Sequence, residues 1–319
     1  MAHLVENMAY VGQTPWHGLG CQLQPGLQVD DWIIQAGMNW NIEQAPVRFV
    51  AGPTDYLGEI KSYADHKVLY RSDSGTPLSV VGRNYKVVQP KEIMEFYRDL
   101  TEKSGFELET AGVLKGGRKL WALARTGQTT QLKGKDVTNA YVLLATACDG
   151  TMATTAQFTS VRVVCNNTLS VALDDNTGAV KVPHRSLFDP AAVKQSLGIN
   201  VSAWDDFMYR MKLLSERPLK DAEAHNYLLR VMSEPDTSSI NKSTERNMAQ
   251  VFALYQGQGM GAELTSAKGT AYGLLNAVTQ YVDHERRARS QDNRLDSAWF
   301  GAGAALKNKA RHEALRLVA

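Results

Sequence analysis

Acids stand close enough in sequence to share a divalent ion at two places, Asp205-Asp206 and Asp283-His284-Glu285. Both lie in segments with helical spacing, where charged side chains ordinarily meet water or one another. The seven histidines are dispersed with no two at ligand spacing, and Cys21, Cys148 and Cys165 form no Cys-x-x-Cys, so no metal centre is expected. A phosphate-cradling loop needs Gly-x-x-x-x-Gly-Lys-Ser/Thr so that its amides and lysine converge on adjacent phosphates. Neither Lys115-Gly116-Gly117-Arg118 nor Ala267-Lys268-Gly269-Thr270 has that form. No Gly-x-Gly-x-x-Gly follows a strand and no Gly-x-Ser-x-Gly elbow appears, so no catalytic residue and no cofactor are assigned.

Non-covalent chemistry has better candidates. Lys115, Arg118 and Lys119 flank a Gly-Gly turn, Arg125 closes the strand that follows, Lys133 and Lys135 precede the next, and Arg162 lies in a long strand. Cations on a sheet rim can follow a phosphate backbone, and Trp121, Tyr141 and Tyr85 offer rings on which bases stack. Such a track works only where its cations are open to solvent and free of acidic neighbours. Charged turn tips and edge-strand lysines also arise simply from contact with water and as a guard against aggregation. A second pattern runs along residues 267–289, where Tyr272, Asn276, Gln280, Asp283 and Arg287 recur at steps of three or four and share a helix face. Beside it Ala271, Leu275, Val278 and Val282 form an apolar face, an arrangement that most often becomes a hydrogen-bond network between helices. From His284 to Ala319, eight Lys or Arg stand against four acids, a basic tail suited to nucleic acid or an acidic subunit.

The elements that must position these residues are strands first and helices later. Thr14-Pro15-Trp16-His17-Gly18-Leu19-Gly20 reads as an ordered loop, and Asp30-Asp31 opens a short helix carrying Trp32, Ile33 and Ala36. From Val47 to Val88 strands alternate with turns at Ser72-Asp73-Ser74-Gly75 and Gly82-Arg83-Asn84. Pro90 followed by Ile93, Phe96, Tyr97 and Leu100 predicts a helix ending near Gly105. A hairpin then pairs Phe106–Lys115 with Arg118–Arg125 across the Gly116-Gly117 turn. A second pairs Thr138–Cys148 with Thr151–Cys165 across Asp149-Gly150. In its return strand the polar and apolar faces exchange parity, which predicts a bulge near Thr159-Ser160. From Asp189 onward helices are expected over 201–216, 219–232, 243–256, 267–289 and 295–317. The fold class is therefore α+β, an antiparallel hairpin-rich sheet with packed helices in residues 1–187 and a helical part in residues 188–319.

At 319 residues with 44% hydrophobic and 21% charged side chains, the chain can bury a full core. Its net charge of +2 is too small to announce a nucleic-acid binder without local clustering. The odd, scattered cysteines argue for a reducing compartment, and no apolar stretch approaches the roughly 18 residues of a membrane span. An intracellular protein that neither inserts into nor crosses a membrane is expected.

Several blocks resemble the bacterial phage/plasmid-like family built on domain of unknown function 932. They are Thr14–Gly20, Val81–Gln89, Glu109–Leu123, Phe158–Leu169 and Thr270–His284. The resemblance implies a mobile-element gene and carries over no catalytic residue. The order of hairpins and helix is also similar to the core of phage single-strand annealing proteins, which assemble as rings around DNA. The expectation is a homo-oligomeric, possibly ring-forming protein that binds or anneals single-stranded DNA in phage or plasmid recombination or replication. Lys115, Arg118, Lys119, Arg125 and Arg162 would contact phosphates, Trp121 and Tyr141 would stack or support, and no cofactor is needed. Two rivals remain open. A phage-encoded protein that disables a host defence or regulatory factor would expose an apolar patch, and a nucleic-acid enzyme would cluster Asp205, Asp206 and Asp283 around an ion.

Overall fold

The computed structural model describes residues 5–12, 20–52, 58–162, 164, 167–170, 179–197, 201–233 and 241–319. The Trp16-His17 loop and Cys165 lie outside them. The first half runs β1 (Val5–Val11), β2 (Cys21–Leu23), α1 (Val29–Gln35), β3 (Ile42–Ala51), β4 (Glu59–Arg71), β5 (Pro77–Gly82), α2 (Pro90–Lys103) and β6 (Glu107–Leu114). Next come β7 (Lys119–Leu132), β8 (Asp136–Ala147), β9 (Thr154–Arg162), β10 (Asn167–Ser170) and β11 (Ala179–Val182). Helices follow as α3 (Pro190–Leu197), α4 (Val201–Glu216), α5 (Asp221–Met232), α6 (Lys242–Ala253), α7 (Ala271–Gln280), α8 (Gln291–Phe300) and α9 (Ala302–Leu315). The fold is α+β, with strands mostly N-terminal and helices C-terminal.

One sheet is eight-stranded in the order β10-β9-β8-β7-β6-β1-β2, with β11 also on β9, and a second is β3-β4-β5. Strand gives way to helix close to residue 187, but the compact units interleave along the chain. Unit 1 comprises residues 1–126, 142–157 and 179–198, and unit 2 comprises 127–141, 158–178 and 199–319. The strands β7, β8 and β9 each contribute one stretch to each unit.

In unit 1, α2 begins where Pro90 fixes the first helical turn, and Gln89 and Glu92 form a reciprocal capping box. The Gln89 side chain also clasps Ile42, accepting from its N–H at 2.8 Å and donating to its carbonyl at 3.1 Å. Ile93, Met94, Phe96 and Tyr97 are wholly buried, and the Tyr97 hydroxyl donates to the carbonyls of Ala122 and Val142 at 2.7 and 3.0 Å. The Ser72–Gly75 turn joins β4 to β5 as expected. Arg71 is fixed there by a bidentate pair with Asp73 and by stacking 4.3 Å from the Trp40 ring.

In unit 2, α7 is buried along nearly its whole length, with Leu274, Leu275 and Val278 against Phe207, Met211 and Leu214 in the same core. The Thr270 hydroxyl caps α7 by accepting from Gly273 N–H at 3.1 Å. Position 273 has to be glycine, since a Cβ there would lie 1.9 Å from the Ala267 carbonyl oxygen.

Four local expectations are corrected. The Gly-Gly turn is a 3-10 turn over Lys115–Gly117 with positive φ at all three residues, and Gly117 presses on Trp40. Strand β7 continues seven residues beyond Arg125 to Leu132, because Lys133 and Gly134 supply the left-handed backbone that turns it into β8. Strand β9 keeps an unbroken register with β11 over 154–157 and with β10 over 159–162, so no bulge interrupts those two pairings. Parity changes there because β9 exchanges one neighbour for another and is buried on both faces. Finally, the helix expected over 267–289 ends as α7 in a π turn at Tyr281–Glu285, and Gly301 breaks the last helix into α8 and α9.

Candidate functional site

Most side chains nominated for a phosphate track do not reach solvent. Arg162 is 4% exposed and makes a bidentate pair with Asp136, itself 1% exposed, with both contacts at 2.7 Å. Asp136 also accepts from the Ser266 hydroxyl at 2.5 Å, and Arg162 donates to the Gly261 carbonyl at 3.1 Å. The guanidinium lies over the Tyr272 ring at 5.4 Å. Lys119, Trp121 and Tyr141 are buried, and Arg125 is engaged by Glu109 at 3.0 Å. Lys115 is half-buried, and Arg118 is exposed. The open track read from the hairpins is corrected accordingly. Alternation of a strand tells which residues share a face, and here both faces are covered over residues 119–124 of β7 and along β8 and β9.

The amide-and-acid stripe is a network, as the spacing favoured. From β10, Asn167 donates to the Asn276 carbonyl at 3.2 Å and to the Thr279 hydroxyl at 3.1 Å. Thr168 N–H donates to Asp283 at 2.9 Å, and Lys307 of α9 reaches Asp283 at 2.6 Å and the Thr168 hydroxyl at 2.8 Å. Gln280 accepts from Met260 N–H at 2.8 Å, Tyr272 lies beneath Arg162, and Arg287 falls past the helix end in solvent. Two blocks that carried the family resemblance, around 158–169 and 270–284, meet in this network. The cavity it encloses, lined by Arg162, Asn167, Tyr272 and Asn276, is about 20 Å³, room for roughly one water and for no substrate.

Catalytic readings find no geometry. Asp206 is paired with Arg210 and Asp283 with Lys307, so the acids proposed to share an ion do not converge. Among the described residues no three His, Cys, Asp or Glu come together. Burial pushes the Cys148 thiol up to about 12, leaving almost no thiolate at neutral pH.

A different corner of unit 1 gathers cations around aromatic rings. Tyr85 and His184 stack at 4.4 Å between centroids and 15° between planes. The Tyr85 hydroxyl donates to the Ala147 carbonyl at 2.6 Å, while burial raises its pKa further above the normal tyrosine range. The two ring nitrogens of His184 face the carbonyls of Lys86 at 2.9 Å and Met152 at 3.2 Å, and the tautomer decides which one donates. Lys67 donates to the Tyr85 carbonyl at 2.7 Å, and its pKa is lowered by partial burial and by the charge on nearby Lys86. Arg83, Lys86 and Arg185 stand exposed around the stack. The Arg118 carbonyl accepts from Cys148 N–H, the residue after the one whose carbonyl anchors Tyr85. Sequence reading named Tyr85 and the Gly82-Arg83-Asn84 turn but did not join them to His184, about a hundred residues away.

The model for domain of unknown function 932 matches residues 77–299. The chain belongs to this family. The matched stretch contains both the Tyr85–His184 corner and the Arg162 and Asp283 pairs, whereas Lys307 lies beyond it. Comparison of the chain with curated proteins and with solved structures gives no match. Among the described residues of this member of the domain of unknown function 932 family, no helix is long and apolar enough to cross a membrane.

Since Arg162 neutralises a buried carboxylate, Arg162→Ala should lower the free energy of unfolding by about 3–5 kcal/mol in urea titrations. Exposed Arg118→Ala should change it by no more than about 0.5 kcal/mol. Equal, small effects at both positions would show that Arg162 is not a structural charge.

Proposed function

We propose that the protein binds single-stranded DNA, as a homo-oligomer acting in recombination or replication of a phage or plasmid within the bacterial cytoplasm. What supports this reading is the Tyr85–His184 stack, with Lys67 bonded to the Tyr85 carbonyl and the exposed Arg83, Lys86 and Arg185 next to the two rings in sequence, although Asp149 also acts on Tyr85. Stacked rings give a sequence-tolerant platform for bases, and surrounding cations release counterions from phosphates. Annealing needs no covalent step and no cofactor. It requires that two strands be neutralised while their base edges stay free to pair.

Self-association has its own support in unit 1. Beyond the pairing of His66 with Gly82, strands β3 and β4 continue as a two-stranded ribbon that includes Val47–Ala51 and Glu59–Tyr63. Phe49, Val50, Ile60 and Tyr63 on this ribbon are 47–69% exposed. A two-stranded ribbon is marginally stable by itself in water, and here Phe49 and Tyr63 leave one of its faces apolar and exposed while Val50 and Ile60 do so on the other. The same feature favours a second reading, in which the ribbon grips a host defence or regulatory protein.

Fluorescence anisotropy with a labelled single-stranded oligonucleotide tests the leading reading. Binding should weaken steeply with salt, and Arg83→Ala with Lys86→Ala should reduce the log–log salt slope by about 0.7 for each phosphate no longer neutralised. No measurable affinity at low salt, or none that salt affects, would contradict it. Light scattering on the pure protein separates the two uses of the ribbon. A multimer that Phe49→Ser and Ile60→Ser dissolve supports self-association, and a monomer leaves the host-protein reading.

A further inference from the structure

In unit 2 a cleft of about 330 Å³ opens between the end of α5, α6, the π turn after α7 and the first turns of α9. Its described lining holds two cations, Arg286 and Lys309, with Ser233, Asn247 and the ring of Tyr281. Val231, Met232, Ala302, Ala305 and Leu306 supply an apolar wall. None of these described lining residues is an acid.

The cleft has more donors than acceptors. Arg286 Nη1 and Ser233 Oγ are buried with no hydrogen-bond partner among the described residues. Lys309 Nζ donates to the Ser233 carbonyl at 3.1 Å, and among the described residues neither it nor Arg286 forms an ion pair. Other cations of the basic tail are engaged, Lys307 by Asp283 and Arg316 by Glu313. The first turn of α9 lends its Ala302 end to the same wall, which places the positive pole of that helix beside the cleft.

We propose that this cleft binds a small phosphate monoester of about mononucleotide size. Arg286 and Lys309 would hold the phosphate, Ser233 and Asn247 would donate to it, and the apolar wall with Tyr281 would take the organic body. Two fixed positive charges match the dianion of a monoester better than the single charge of an internal phosphodiester. The volume is that of a small-molecule site, and too little for a strand to thread. The proposal is independent of the Tyr85–His184 corner and of its DNA reading.

Titration calorimetry on the full chain, with adenosine 5′-monophosphate, inorganic phosphate, adenosine and an oligonucleotide lacking terminal phosphates, tests the assignment at matched chloride. The monophosphate should bind most tightly, inorganic phosphate weakly and adenosine not at all. Arg286→Gln and, separately, Lys309→Gln should each weaken the monophosphate roughly tenfold or more, the loss of one charge-assisted hydrogen bond. Both cations lack an acidic partner among the described residues, so at least one variant should unfold at the wild-type urea midpoint and can be read without ambiguity. Adenosine binding as well as the monophosphate would overturn the proposal. So would an affinity that a folded variant leaves unchanged, or tighter binding of the oligonucleotide at this cleft.

Discussion

The constraint on which unit 2 depends is the burial of two carboxylates, Asp136 and Asp283, each 1% exposed. A carboxylate taken out of water loses several kcal/mol of hydration even after relaxation, and only a well-placed cation with further donors offsets the loss. Asp136 has Arg162 and Ser266, and Asp283 has Lys307 with the Thr168 amide. The Asp136 cluster ties β8 to β9 and to Ser266 ahead of α7, and the Asp283 cluster ties β10 and α9 to the turn after α7. Asp283 lies in the π turn that follows α7 and from there accepts from the Thr168 amide of β10.

Binding of a polyanion would have to use charges that the fold does not. Arg162 and Lys307 are committed to carboxylates, and Arg125 is shared with Glu109. Two sets of cations stand apart from these ion pairs, one around a stacked Tyr85–His184 pair in unit 1 and one in a concave cleft of unit 2. Their surroundings differ in kind: half-buried rings with scattered positive charge suit an extended polyanion, while an apolar wall with buried donors suits a compact one.

Much of the secondary structure was legible because it is written locally. Pro90 with apolar residues at helical spacing marked α2, residues 201–216 matched α4, and the Ser72–Gly75 turn joined β4 to β5. What escaped was tertiary. Arg162 has the alternation of an exposed strand cation, and its partner Asp136 sits in the neighbouring strand at a distance no local pattern reveals. Lys119, Trp121 and Tyr141 looked available because alternation assumes one wet face, whereas these strands are covered on both. The stripe on α7 was readable as a network, but Lys307, which completes it, lay in a tail that seemed merely basic. His184 gave no signal at all until the fold laid it on Tyr85.

The central claim is that the polar residues along α7 hold the fold, and a double-mutant cycle on the Asp283–Lys307 pair tests it most directly. Unfolding free energies are compared for wild type, Asp283→Asn, Lys307→Met and the double variant. The account predicts strong destabilisation by each single change and a coupling energy of about 2 kcal/mol or more, because the double variant leaves no uncompensated charge in the interior. Additivity within about 0.5 kcal/mol would contradict it, showing that the two side chains do not depend on one another for their burial.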